Sequence, residues 1–444
     1  MTNARPTWRK SLTGCSSDFC MWLDTKKVQL TLYKKLVADS DYFLSKILSG
    51  QYISVYVPFR ELLDDPQNVA QHLQGILENI YKPQDIGQYL SEIQTSSSDP
   101  VAWEHYATTH FVAPVTCTFF GERLRDVSRN CAKEIYNKEM VAAAYAYVHL
   151  LDRYKRFWDV LLCLLDKGLL PMSARGIDVL DIGAGPAVAS YAVIDMYKAL
   201  HDFATEGNYT HLVTPPPRIH VIEPSDQMVH FFHNFSEIRE QSKRSEPKAG
   251  PFGTIFPELV DFTEEREKKN PKKVGQLQKI VDPSSGSVSW YINYEETTHE
   301  LYRYNFVIMS YFLTTMERTE ELLKELESVF HTLRPGGIAV VVGDKDWKPI
   351  YELIEQQAEV AGVHRMNEVP DEISLSYTDV YAEDRRAFYT KIWRDYLTKY
   401  SNIDQEFAKS RELPRNLWNA PKKLKGNVSE FGLRVFRKGR WGRG

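Results

Sequence analysis

Residues 178–190 read DVLDIGAGPAVAS. A short apolar run, Asp178–Ile182, leads into Gly183 and Gly185, and from Val188 onward the apolar residues recur at helical spacing. Strand, glycine turn and helix together bring backbone N–H groups and a helix N-terminus up to a nucleotide. A dinucleotide loop reads G-x-G-x-x-G, and here the third position is Val188. Asp181, two residues before the first glycine, is also a poor neighbour for a pyrophosphate, because like charges repel in a partly dry turn. A carboxylate suits a ligand that carries an ammonium. The glycines let such a ligand approach the backbone where a side chain would collide.

The surrounding pattern extends this unit. Residues 215–224 (PPPRIHVIEP), 302–313 (YRYNFVIMSYFL) and 334–344 (RPGGIAVVVGD) read as further strands. Helical stretches at 188–204, 225–241 and 319–333 lie between them. Such alternation predicts a mostly parallel sheet with helices on both faces. Glu223 ends the second strand, where an acid accepts hydrogen bonds from ribose hydroxyls. Its distance from Gly185 exceeds the usual spacing of about 20 residues, and an insertion at 201–217 accounts for the excess.

Four stretches, VLDIGAGPA, HVIEP, YNFVIMSYFL and LRPGG, occur in the order found in the class I S-adenosylmethionine-dependent methyltransferases, and residues 150–360 resemble that family. The resemblance implies a Rossmann-like α/β fold with a seven-stranded, mostly parallel sheet whose last strand is antiparallel. It implies S-adenosyl-L-methionine as cofactor. Asp181, Gly183, Ala184 and Gly185 would line its methionine end, Glu223 with Pro224 its ribose, and Ser310 the region of the sulfonium. Ala187 stands where the family most often has glycine; alanine favours helix, so a place in the first helical turn is expected. Gly336 and Gly337 are expected to form a turn needing positive φ rather than to touch a ligand.

The acceptor is expected beyond the carboxyl ends of the strands, near Met309, Ser310, Tyr311 and Phe312. No Asn/Asp-Pro-Pro-Tyr or Pro-Cys motif stands there, which argues against DNA adenine methylation and against the covalent cytosine C5 route. Where an acceptor starts protonated a base is needed. His230, His233 and Asp344 are the candidates, with Tyr311 as a hydrogen-bonding partner.

Outside this unit the chain is less specific. Residues 1–150 carry helical periodicity, as in 25–48, 68–81 and the long run 133–169, and are expected to form a largely α-helical N-terminal cap domain. Residues 151–444 are expected to form the methyltransferase domain. A charged insertion falls near 238–285, and a possible strand or hairpin follows at 287–296. A helix is expected at 383–400 and a final strand at 431–437. The aromatic and histidine-rich stretch 103–111 (WEHYATTHF) is a candidate pocket lining, with core packing as the plainer reading. The basic tail 421–444, with Phe436 and Trp441 interleaved among its cations, offers a surface for RNA or another anion.

With 444 residues, net charge −4 and 43% hydrophobic residues, the composition is that of an ordinary globular protein. A general attraction to nucleic acid or anionic membrane is not implied. The five irregularly spaced cysteines argue against a disulfide framework or zinc site. No signal core or membrane span stands out, so a cytoplasmic protein is expected. A small-molecule acceptor, methylated on O or N, is the leading expectation. An RNA methyltransferase or ribosome-assembly factor and a catalytically silent scaffold of the same fold remain alternatives.

Overall fold

The computed structural model describes residues 8–49, 113–128, 136, 138, 140–173, 176–209, 215–241, 252–256, 272–281, 288–297, 304–375, 379–397 and 429–439. Among these residues the helices are α1 (Trp8–Lys26), α2 (Val28–Leu48), α3 (Ala113–Ser128), α4 (Val141–Tyr145), α5 (Leu151–Asp166), α6 (Val188–Glu206), α7 (Asp226–Gln241), α8 (Met316–Glu321), α9 (Leu323–His331), α10 (Lys348–Val360) and α11 (Asp379–Ile392). A π-helical turn, Ala146–Leu150, joins α4 to α5, and another, Trp393–Leu397, extends α11. The strands are β1 (Asp178–Ile182), β2 (Arg218–Ile222), β3 (Phe252–Phe256), β4 (Lys272–Val281), β5 (Val288–Thr297), β6 (Tyr304–Ser310), β7 (Leu333–Gly343), β8 (Val363–Arg365), β9 (Glu372–Leu375) and β10 (Ser429–Lys438).

They form one sheet in the order β5-β4-β3-β2-β1-β6-β7-β10-β8, with β9 paired to β10. The pairs β3–β2, β2–β1, β1–β6 and β6–β7 are parallel. β10 runs antiparallel between β7 and β8. The seven strands from β3 to β8 are thus mostly parallel with the last in sequence reversed, as the motif order implied. The expected strand at 287–296 is β5. Its partner β4 lies inside the charged stretch 238–285, as does β3, so part of that stretch extends the sheet as an antiparallel hairpin.

Alternation along the central strands divides the core into two layers. Val179, Phe306, Ile308, Ile338, Val340 and Val342 face helices α5, α6 and α7. Leu180, Ile182, Val307, Met309, Ala339 and Val341 face α9 and α10. By the same alternation Asp181 shares the face of Val179. The N-terminal helices join the first layer. Phe43 of α2 meets Phe231 and Phe235 of α7 at 4.9 and 5.7 Å between ring centroids. The helical run from α4 through α5 passes residue 150 without a break.

A buried ionic group also holds this layer. Arg239 Nη2 of α7 donates to Asp195 Oδ2 of α6 at 2.7 Å. The Tyr154 hydroxyl of α5 donates to the same oxygen at 2.7 Å. Asp39 of α2 lies 3.6 Å from Arg239 Nε. Removing one member of such a buried network strands the remaining charges. Arg239→Met is expected to lower unfolding free energy by about 3–5 kcal/mol, and Tyr154→Phe by about 1–3 kcal/mol. Both are read from urea denaturation midpoints at unchanged m-value.

Candidate active site at the carboxyl edge of the sheet

β1 and β2 end together, and their loops are tied to each other. The parallel pairing carries on past the strand ends, with Gly183 N–H donating to the Ile222 carbonyl at 2.8 Å. Glu223 then closes the corner: its Oε2 accepts the Gly185 N–H at 2.7 Å and its Oε1 the Ser225 N–H at 3.0 Å. Gly183 (φ +63°) and Gly185 (φ +55°) both sit in the left-handed region. A side chain at Gly183 would run into the Phe312 ring, whereas one at Gly185 would meet only Tyr145, at 3.7 Å. The first glycine is therefore required by packing, and the second leaves the loop open. Ala184 is part-buried between them.

Ala187 is not in the first helical turn. It is the N-cap of α6 with φ 57° and ψ 36°, fully buried. This left-handed conformation explains why glycine suits the position. The alanine methyl is accommodated at a strain of roughly 1–2 kcal/mol.

Asp181 and Glu223 are both buried, at 1% and 7% exposure. Asp181 Oδ2 accepts the Ser190 hydroxyl of α6 at 2.6 Å, and its Oδ1 has no hydrogen-bond partner. Burial pushes the Asp181 carboxyl up to about 7, against the hydrogen bonds from Ser190. Burial likewise pushes Glu223 up to about 7, with Asp181 adding to the rise. No basic side chain among the described residues pairs with either acid. Two buried carboxylates beside an open glycine turn make a site whose electrostatics favour a cation.

Across the edge, Tyr311 follows the last residue of β6 and takes φ 55°. Its N–H donates to the Val342 carbonyl at 2.8 Å, so the turn is held against β7. The Tyr311 phenol accepts from Arg156 Nη1 at 2.5 Å, and its ring lies 5.9 Å from that of Trp347. Burial holds its pKa up despite Arg156 and Arg153, so the phenol keeps its proton at neutral pH.

The other candidates are placed unevenly. Asp344 is exposed just after β7, and its carbonyl accepts from the Tyr351 hydroxyl at 3.0 Å. Ser310 is part-buried at the end of β6, and Pro224 is exposed beside Glu223. His230 and His233 lie on α7, following β2. Burial, helped by His230, drops His233 to about 3, so it is neutral and a weak base. Gly336 and Gly337 do not form the expected turn: both lie within β7, Gly336 alone has a positive φ, 83°, and the pairing with β6 shifts register there because Leu333 pairs with Tyr304 but Ile338 with Phe306. Phe436 of β10 is fully buried and packs edge-on against Phe330, so it is core and not part of an anion-binding tail. The stretch 103–111 and Trp441 lie outside the described residues.

Sequence reasoning passed over a group on α4, α5 and the π turn between them. Tyr145, His149, Arg153 and Arg156 recur every three or four residues, and this was the signal available. Burial, reinforced by Arg153 and Arg156, keeps His149 neutral, and its ring lies edge-on to Tyr145 at 4.7 Å. Among the described residues no group of His, Cys, Asp and Glu is arranged to hold a metal ion.

Seven strands with only the last reversed, crossed by the glycine turn at β1 and the acid at the end of β2, decide the architecture. The fold is that of the class I methyltransferases. No family model matches the sequence, and no curated protein matches it. Solved structures with similar features include a Haemonchus contortus phosphoethanolamine N-methyltransferase (14% identity, 64% of this chain and 53% of that one, TM-score 0.29). A Synechocystis magnesium protoporphyrin IX methyltransferase matches at 12% identity over 60% of this chain and 90% of that one, TM-score 0.29. A Mycobacterium tuberculosis cyclopropane synthase matches at 10% identity over 66% and 95%, TM-score 0.32. The chain spans about half the length of the first of these.

The two glycines are expected to separate by stability. Gly183→Ala forces the Phe312 ring to move in addition to the left-handed strain, and a loss of more than about 2 kcal/mol is expected. Gly185→Ala carries the strain alone, about 1–2 kcal/mol. Parallel denaturation curves of the two variants test the ordering.

Proposed function

We propose that the chain is an S-adenosyl-L-methionine-dependent methyltransferase acting on a small-molecule acceptor at oxygen or nitrogen. The observation that carries this reading is the pair of buried acids, Asp181 and Glu223, without a basic partner beside the open Gly185 turn. S-adenosyl-L-methionine fits: it carries an ammonium and a sulfonium but no phosphate, and its ribose hydroxyls suit a carboxylate whose remaining lone pairs are free. Asp181, Gly183, Ala184 and Gly185 would hold its amino-acid end, and Glu223 with Pro224 its ribose. When bound, the cofactor supplies an electrophilic methyl group on sulfur.

The protein's part is chiefly positioning and exclusion of water. Tyr311, protonated and anchored by Arg156, orients the acceptor by hydrogen bonding, with Ser310 beside it. Asp344, exposed after β7, is the better placed of the candidate bases; His233, buried and neutral on α7, is the weaker. Tyr145, at the end of α4, lies against Gly185 at this edge. Among the described residues no helix is long and apolar enough to cross a membrane, and the reading places the protein in the cytoplasm. RNA as acceptor loses support because Phe436 is buried.

Calorimetry with S-adenosyl-L-methionine tests the reading. Binding in the micromolar range, about −8 kcal/mol, is expected, with losses of tenfold or more in Asp181→Asn, Glu223→Gln and Gly185→Ala. A cation favours the ionised acids, so affinity is expected to rise as pH increases through about 7. Glu223→Gln should flatten that rise. The ligand-free protein should respond in the opposite sense. Both acids have folded pKa values above their ordinary 3.8 and 4.5, so their contribution to stability is complete below about pH 4 and lost as pH rises through about 7. Absence of binding by the unaltered protein overturns the assignment.

A further inference from the structure

Near the open glycine turn, α5 carries charge of the opposite sign to the two acids. Two guanidinium groups, Arg156 and Arg385, reach Asp152, and Arg153 stands beside them on α5. That carboxylate lies 2.7 Å from Arg156 Nε and 3.3 Å from Arg385 Nη1. Arg153 has no carboxylate partner among the described residues. It is held instead by aromatic rings: its guanidinium lies 4.9 Å from the Tyr145 ring centroid and 4.1 Å from that of Tyr311. It also donates to the Tyr145 hydroxyl. Tyr145 is the side chain facing Gly185, and Tyr311 directly follows β6. The two rings therefore fix Arg153 between the open glycine turn and the acceptor side of the edge.

A guanidinium stacked between rings keeps donors in its own plane free, in the fork that matches a carboxylate. Burial of its neighbours strengthens the need for an anion. The same positive field helps to keep His149 neutral. An unpaired arginine costs little on an open surface. This one is part-buried and immobilised beside the site, where an anion would offset the local excess of positive charge.

We propose that Arg153 is the receptor for a carboxylate of the bound ligands, supplied either by the methionine end of S-adenosyl-L-methionine or by the acceptor. The inference rests on the proposed function for the identity of the first source. The acids at one end of the site and Arg153 at the other then match a zwitterion, cation toward Asp181 and anion toward α5. Tyr145 and Tyr311 act as positioning residues for the guanidinium.

The test compares S-adenosylhomocysteine, which has the carboxylate, with 5′-methylthioadenosine, which lacks the whole amino-acid end, on the full chain and on Arg153→Met. If the cofactor supplies the anion, Arg153→Met weakens S-adenosylhomocysteine by ~10- to 100-fold, as expected for a lost charge-assisted hydrogen bond, and leaves methylthioadenosine unchanged. If the acceptor supplies it, affinity for both nucleosides is unchanged. Benzoate then binds the S-adenosylhomocysteine-saturated protein and fails to bind Arg153→Met, as read by ligand-observed NMR. Should Arg153→Met not fold, Arg153→Lys carries the same comparison, with a partial loss expected because the charge stays and the planar fork goes. Equal affinities in variant and unaltered protein for S-adenosylhomocysteine and for benzoate overturn the proposal. Failure of the unaltered protein to bind either nucleoside instead overturns the cofactor assignment.

Discussion

The Glu223 carboxylate is the joint on which the site depends. With one oxygen on the Gly185 N–H and the other on the Ser225 N–H, it fixes the loops after β1 and β2 as a single rigid corner. Those donors would otherwise need partners of their own, because backbone N–H groups withdrawn from water are costly when unpaired. The arrangement has an electrostatic consequence. Glu223 is buried where it makes these bonds, and burial disfavours its ionised form against the bonds themselves. Asp181, buried close by and with one oxygen unpartnered, compounds the effect. The corner is therefore geometrically finished but electrostatically incomplete, a state that the cationic ligand proposed above would relieve.

Backbone strain lies along the same edge. Ala187 caps α6 and Tyr311 closes β6, both non-glycine residues in the left-handed region. Each is held by its surroundings: Ala187 by full burial, Tyr311 by the bond to the Val342 carbonyl and by rings and guanidinium groups about its side chain. The strain aims Tyr311 across the sheet edge instead of along the direction of β6. In this way a turn that glycine would form easily is used to place an aromatic hydroxyl.

The parts legible in the sequence were those dictated by local chemistry. The strand–glycine–helix unit at 178–190, the acid at Glu223 and the buried strand at 338–343 each arise from short-range pattern, and the antiparallel β10 was implied by the resemblance those motifs carry. The parts that were not legible depend on partners distant in sequence. β4 is rich in lysine and glutamine and shows no apolar face of its own; it is a strand because β5 pairs with it along ten residues. Ala187 looked helical because propensity is a statement about helix interiors, whereas its conformation is set by the turn that precedes it. Phe436 looked like a member of a basic tail, and only the pairing of β10 with β7 puts it under Phe330.

The two halves of the site differ for a related reason. The glycine side uses backbone atoms and the glycines that expose them, so its chemistry is written in contiguous residues. The α5 side uses long side chains delivered by a helix from elsewhere, and a helix records such a face only as spacing. Tyr145, His149 and Arg153 keep that spacing across a π-helical turn, which inserts an extra residue into the helical register and rotates the residues beyond it. Without the turn, Tyr145 and Arg153 would drift apart around the helix, because a step of about eight residues along an α-helix rotates through slightly more than two turns. The widened turn brings them onto one guanidinium–tyrosine stack. The spacing is thus visible in the sequence, whereas the π-helical turn that assembles the group beside Gly185 is not.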